Sequence, residues 1–445
     1  MTQEFILSVT PVGHDQYLIR TEKVPFGAPF GQEQVTWPVD QWLDEAKQLM
    51  GDPLKGLLQG TVAPDTGRSA LSLIELGQKL YAGLFRDTVR DSWVISQGVA
   101  YNRRESLRLR LGLKGSDLPR LPWEVMYGTD VPVEQLRQGS ITSAPRPMVA
   151  GTRIIFSRYQ ISSLSSRLIE DGFPELAPHE PLRILMVVSA PTDQEQLKLY
   201  REVKHMQQEL QTAAPSSNAE PVEIQLTILN QPGREELAHT LEQGRFQVLH
   251  YAGHSDLSAA GGNLYLVNNR TGLSEILTGD DLAGLLLNTG IRLAVFNSCR
   301  GTHTAAVDPG NGGNRNLAET LVSRGIPAVL AMAEQIPDNV ALNLTRWFYR
   351  NLKQGSPIDL SLNRARQGLI ATYGSHQFYW ALPVLYLHWE FDGLLARNLI
   401  QTGAVDQHGL LPPNYALPKQ PTEPPLEPIE PRRPPALRVN PADQS

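Results

Sequence analysis

Cysteine is almost missing from this chain: Cys299 is the single one in 445 residues. One thiol excludes an intramolecular disulfide and a cysteine-rich metal site, and it predicts a reducing, cytoplasmic setting. A basic excess is missing too. Forty Lys and Arg stand against 46 Asp and Glu, for a formal net charge of −6, and the cations are scattered. A nucleic-acid partner, which calls for a basic domain, is therefore not expected. No stretch reaches the ~18 uninterrupted apolar residues of a membrane helix, so no membrane association is expected. The opening MTQEFILSVTPVG lacks the basic segment, apolar run and small-residue cleavage site of a secretory signal. What the chain does have is 41% hydrophobic residues, ample for the core of two or three soluble domains.

The pattern changes along the chain. Alternation in Phe5–Val9 and Tyr17–Arg20 predicts short strands, Gln41–Met50 a helix, and the apolar spacing of Ser69–Phe85 a second helix. Leu107–Leu113 (LRLRLGL) alternates strictly, as a half-buried strand should, and LPWEVMYG (Leu121–Gly128) supplies large core residues. Gly139–Arg146 reads as loop. From Pro181 onward, strands and helices alternate. The strands are Arg183–Pro191, Val222–Leu229, Phe246–Gly253, Ile291–Cys299 and Ala328–Ala333; the helices are Gln194–Ala213, Arg234–Gln243, Asp280–Leu287, Asn316–Arg324 and Asp338–Leu352. Such alternation predicts a mostly parallel sheet covered on both faces, and right-handed crossovers make it a three-layer α/β/α sandwich. Residues 411–445 hold eleven of the 34 prolines and predict an extended tail or linker, with a proline-recognising partner as the less favoured role.

Open parallel sheets gather functional residues at the carboxyl ends of their strands. Two strands here end on reactive side chains: VLHYAGHSD carries His254 and VFNSCRG carries Cys299. If the two strands are neighbours, both side chains emerge at one edge. A thiol of pKa ~8.5 is mostly protonated at neutral pH, and an imidazole beside it can hold it as the nucleophilic thiolate. Gly253 and Gly301 let the backbone approach a developing oxyanion. His250, inside an apolar strand, reads as a core or supporting histidine, and His303 as an ordinary loop residue. Residues 302–315 form a polar, Gly-rich loop. Its lone carboxylate, Asp308, is too little for calcium, and no metal or cofactor is expected.

Asn297-Ser298-Cys299-Arg300-Gly301, with His254 45 residues upstream, resembles the caspase signature of Gln-Ala-Cys-[Arg/Gln/Gly]-Gly with its histidine about 50 residues before. The longer series resembles the CHAT family, a caspase-like, separase-related branch of cysteine proteases. It runs through His250–His254, Leu293–Cys299, Asn316–Gly325, Gly325–Val329, Trp347–Gly355, Leu362–Gly368 and Trp380–Leu387, with LPWEVMY upstream, and covers roughly residues 70–390. The resemblance implies a caspase-like cysteine endopeptidase. Cys299 would be its nucleophile and His254 its general acid/base, with backbone N–H groups of Gly253, Ser255 and Cys299 around the oxyanion. It also implies a protein substrate and a regulatory protein partner. Family members commonly carry glycine where this chain has Ser255, and the family's tetratricopeptide repeats are missing.

Asn297 occupies the position that helps form the substrate pocket in caspases and metacaspases. Glu334 and Asp256 are further pocket candidates, with an exposed strand-end carboxylate and a turn former as their plainer readings. The expected division is an associated, smaller α+β lobe over 1–175, for which the relation to separase suggests a degenerate second caspase-like unit, the protease domain over 176–400, and the Pro-rich tail or linker over 401–445. Oligomeric state is not legible. The rivals are a catalytically silent interaction module on the same fold and a thiol amidase acting on small substrates.

Overall fold

The computed structural model describes residues 2–50, 66–128, 135, 146–160, 180–194, 199–211, 222–258, 261–287, 289–298, 316–334 and 336–396. Cys299, the 302–315 loop, most of 139–146 and the 401–445 tail lie outside them. The first half comprises β1 (Thr2–Gly13), β2 (Gln16–Lys23), β3 (Gln32–Thr36), α1 (Val39–Met50), α2 (Thr66–Leu84), α3 (Asp87–Asn102), β4 (Ser106–Leu113) and β5 (Ile154–Gln160). Then come β6 (Leu182–Val188), α4 (Leu199–Gln211), β7 (Ile224–Asn230), α5 (Arg234–Gly244), β8 (Val248–Ala252), β9 (Ser255–Asp256), β10 (Asn263–Val267) and β11 (Ser274–Thr278). The chain continues through α6 (Gly279–Leu286), β12 (Leu293–Asn297), α7 (Leu317–Ser323), β13 (Ala328–Met332), α8 (Asp338–Lys353), α9 (Ile358–Tyr373) and β14 (Pro383–Leu387).

Eleven strands form one sheet in the order β3-β2-β1-β4-β5-β14-β13-β12-β8-β6-β7. Its pairings are parallel except β1–β2, β2–β3 and β13–β14. Strand pleating sorts the side chains to two faces. On one face Ile184, Met186, Val248, Val295 and Leu330 pack with Met206 of α4 and with Leu344 and Phe348 of α8. On the other, Leu185, Leu249, Phe296 and Ala331 pack with Leu237 of α5, Leu282 of α6 and Leu321 of α7. This is the expected mostly parallel α/β/α sandwich. The chain leaves β6 for β7 over α4, then returns past β6 to β8 under α5. The order of the strands therefore reverses between β6 and β8, and α4 alone of these crossover helices shares a face with α8. Two helix starts are written locally. Thr278 Oγ1 accepts from Asp281 N at 3.2 Å to cap α6, and Asn316 Oδ1 accepts from Glu319 N at 2.7 Å to cap α7.

β4 departs from expectation. Its alternation suggested one wet face, yet Arg108 and Arg110 are 3% and 0% exposed. Protein groups replace water. Arg108 Nε meets Asp359 Oδ2 of α9, and Arg110 donates to the carbonyls of His388, Trp389 and Phe391 at 2.6–2.7 Å. Burial, then the neighbouring Arg108, pulls Arg110 down to about 10, so it stays charged near neutral pH. Elements not foreseen include α3, β5 and the three strands of the small antiparallel sheet β11-β10-β9. The helix expected over Gln194–Ala213 is Leu199–Gln211 among the described residues. No helix among them is long and apolar enough to cross a membrane.

LPWEVMY proves to be packing. Trp123, Val125, Met126 and Tyr127 are buried, and Glu124 accepts from Arg158 Nε of β5 at 2.9 Å and from its Nη2. Burial opposes the charge on Arg158, but Glu124 outweighs it and holds the guanidinium above its ordinary pKa. Glu124→Ala leaves that cation buried without its counter-ion. A loss of about 3–5 kcal/mol is expected by denaturant unfolding, and a loss under about 1 kcal/mol would contradict the pairing's role.

Candidate active site

β8 and β12 are adjacent and parallel, with Leu293 opposite Val248, Val295 opposite His250 and Asn297 opposite Ala252. β6 flanks β8 and β13 flanks β12, so four strand ends open on one edge. His254 follows β8 by two residues and is half-buried. Its carbonyl accepts from Tyr265 N at 3.2 Å and from Tyr251 Oη at 2.8 Å. Tyr251 Oη also lies 2.8 Å from the Tyr265 carbonyl, and Ser189 Oγ donates to that carbonyl at 2.6 Å. The small sheet is thereby anchored to the ends of β6 and β8. Burial raises Tyr251 well above the ordinary tyrosine range, so it remains a donor.

Gly253 is required by close approach. A Cβ there would meet Tyr251 Oη at 2.6 Å and the Ser189 carbonyl at 2.7 Å. Ser255 is buried, and its Oγ donates to Ser298 Oγ at 2.7 Å. A glycine at 255 could not make this tie between the end of β12 and the segment carrying His254.

Asn297 ends β12, and its Nδ2 donates to Glu202 Oε1 at 2.6 Å. Asp256 lies in β9, where its carboxylate accepts from Tyr265 Oη at 2.6 Å and Asn263 Nδ2 at 3.0 Å. Burial first, then Asp256, pushes the Tyr265 phenol up to about 12. Glu334 is half-buried at the bend after β13. The described edge thus brings together Gly253, His254, Ser255, Asn297 and Ser298, while Cys299 lies outside the described residues. Among the described residues no group of three or more His, Cys, Asp or Glu is arranged to hold a metal ion.

Beneath this edge lies a buried polar group only half foreseen. His250 is 0% exposed, with Nε2 2.9 Å from Glu202 Oε1 and Nδ1 2.9 Å from Tyr349 Oη. An ionised carboxylate only accepts, so in the neutral imidazole Nε2 carries the hydrogen and Nδ1 accepts from Tyr349. Burial raises Tyr349 well above its ordinary value, which keeps that hydroxyl a donor. His250 was read as a core or supporting residue; Glu202 and Tyr349 were missed. The signal for Glu202 was its spacing: it falls on the stripe of Leu199, Val203, Met206 and Leu210, on the helix face that packs inward.

A model of the CHAT domain matches residues 75–387. Among solved structures, the chain is similar to the Arg specific cysteine proteinase gingipain R (RGPB), at 9% identity and a TM-score of 0.43, over 81% of this chain and 76% of that one. It is also similar to the Saccharomyces cerevisiae separase–securin complex. One such structure matches at 12% identity and a TM-score of 0.45, another at 11% and 0.42; each match covers 86% of this chain and 30% of that one. No curated protein matches the sequence.

Gly253→Ala drives a methyl group into backbone and a buried tyrosine. A loss of about 1–3 kcal/mol is expected from overpacking, read as a lower unfolding midpoint at unchanged denaturant slope. Wild-type stability in that variant would contradict the close approach.

Proposed function

The chain belongs to the CHAT-domain family, matched over residues 75–387, and from this premise we propose that it is a caspase-like cysteine endopeptidase acting on a protein partner. Cys299 is the nucleophile and His254 the general acid/base. One observation supports the pairing above all: the parallel register sets Asn297 opposite Ala252. Cys299 and His254 each follow these residues by two positions, and the chain advances about 3.8 Å per residue between Cα atoms. Ser298, the residue before Cys299, is bonded to Ser255, the residue after His254.

The chemistry follows from that pairing. The Cys299 thiolate attacks the scissile carbonyl carbon, a C–S bond forms, and the π pair moves to oxygen. Backbone N–H groups of Gly253, Ser255 and Cys299 are the donors for that oxyanion. The His254 imidazolium gives its proton to the departing amine as the C–N bond breaks. Water then attacks the thioester, His254 takes its proton, and Cys299 leaves as thiolate with the new carboxyl product. Asn297, Glu334 and Asp256 are the candidates for contact with the substrate side chain. A regulatory protein partner is part of the same reading.

The single thiol makes the test clean. At pH 6.5 a free cysteine is only about 1% ionised, so a peptide electrophile reacting with an imidazole-paired Cys299 should label it about 10–100-fold faster than in His254→Ala, and Cys299→Ala should not be labelled. Equal rates in wild type and His254→Ala would sink the protease reading in favour of a silent interaction module. Cleavage confined to small amides, with no peptide in a library cut, would leave a thiol hydrolase but not an endopeptidase.

A further inference from the structure

Glutamate is rarely buried without a specific partner, because an ionised carboxylate loses its hydration and must recover it from the protein. Glu202 is 5% exposed. It recovers that loss in a particular way: Oε1 alone receives both Asn297 Nδ2 at 2.6 Å and His250 Nε2 at 2.9 Å. The two donors stand on neighbouring strands. His250 is on β8, four residues before His254, and Asn297 closes β12, two residues before Cys299. The far side of the His250 ring is braced by Tyr349 Oη at 2.9 Å. One oxygen from α4 and one hydroxyl from α8 therefore fix a ring on β8, and the same carboxylate oxygen fixes the last side chain of β12.

The strand ladder alone does not do this. Its hydrogen bonds join backbones and stop at the Asn297–Ala252 pair. Side chains add ties of their own at the two strand ends: Ser255 to Ser298 past the last pair, and Glu202 to Asn297 at that pair and to His250 two residues before it. α4 reaches this spot because it is the crossover that lies on the same face as His250 and α8.

We propose that Glu202 is a positioning residue for the nucleophile strand, acting through Asn297 and held in place by His250 and Tyr349. This rests on the reading of Cys299 as nucleophile. The described hydrogen-bond partners of Glu202 are Asn297 and His250; through them it sets the separation of two strand ends, and a misplacement of about 1 Å is enough to cost on the order of 100-fold in rate.

The experiment uses the full chain and a peptide electrophile that labels Cys299, with folding checked by circular dichroism and the unfolding midpoint. Glu202→Ala should slow labelling at least about tenfold while the midpoint shows a folded protein. Glu202→Gln keeps an acceptor oxygen and should stay within about threefold of wild type. Asn297→Ala should slow labelling as Glu202→Ala does, and the double variant should be little slower than either single one, because both cut the same tie. Should Glu202→Ala fail to fold, Asn297→Ala labelled with iodoacetamide, which presents no substrate side chain to residue 297, decides alone. A wild-type rate in Asn297→Ala, additive losses in the double variant, or a Gln variant as slow as the Ala variant would each overturn the proposal. Those results are read only against wild-type labelling that depends on His254. If wild type and His254→Ala label equally, it is the protease reading that fails, whatever Glu202 does.

Discussion

Five residues of parallel pairing, Val248–Ala252 against Leu293–Asn297, govern what the rest of this molecule can do. Parallel strands in register end at the same height, so the chain leaves both strands at one edge. Antiparallel neighbours would have ended at opposite edges. The apolar content of the two strands makes the pairing stable: Val248, Leu249, Leu293, Ala294 and Phe296 are all at or below 1% exposure and anchor the strands between two helical layers. The reversal of strand order beside β8 then opens the edge, and it is also what lays α4, with Glu202, across the other side of β8 and β12.

Several buried charged groups of the interior are matched by a partner from an element distant in sequence. Glu202 meets His250 and Asn297, Glu124 meets Arg158, and Asp359 meets Arg108. Such pairs add little net stability over well-packed apolar residues, but half of a pair is costly to bury. They therefore favour one arrangement of helices over the sheet. Arg110, which donates to three carbonyls at residues 388–391, does the same for β4 and the segment after β14.

What could be read in advance follows the same division. Apolar runs such as Arg183–Pro191 and Ile291–Cys299 announce strands buried on both faces, because hydrophobic burial is a local property of a residue. The strand-end placement of His254 followed from the same reading. Long-range polar pairing was not legible. LRLRLGL looks half-exposed until Asp359 and the carbonyls at 388–391 arrive from 250 or more positions away. Glu202 looks like a solvated helix residue until its place on the apolar stripe is matched with His250. Within the small sheet, β9 was hidden because two residues are too short to show a period. Asp256 was legible as polar and near the site, but its engagement with Tyr265 and Asn263 depends on a hairpin partner.

The most direct measurement is a spectroscopic titration of the single thiol, following thiolate absorbance with pH in wild type and in His254→Ala. If His254 stabilises the Cys299 thiolate, the wild-type thiol titrates below about 7 and returns toward about 8.5 in the variant. An ordinary thiol pKa in both proteins would contradict the pairing on which the proposed activity rests.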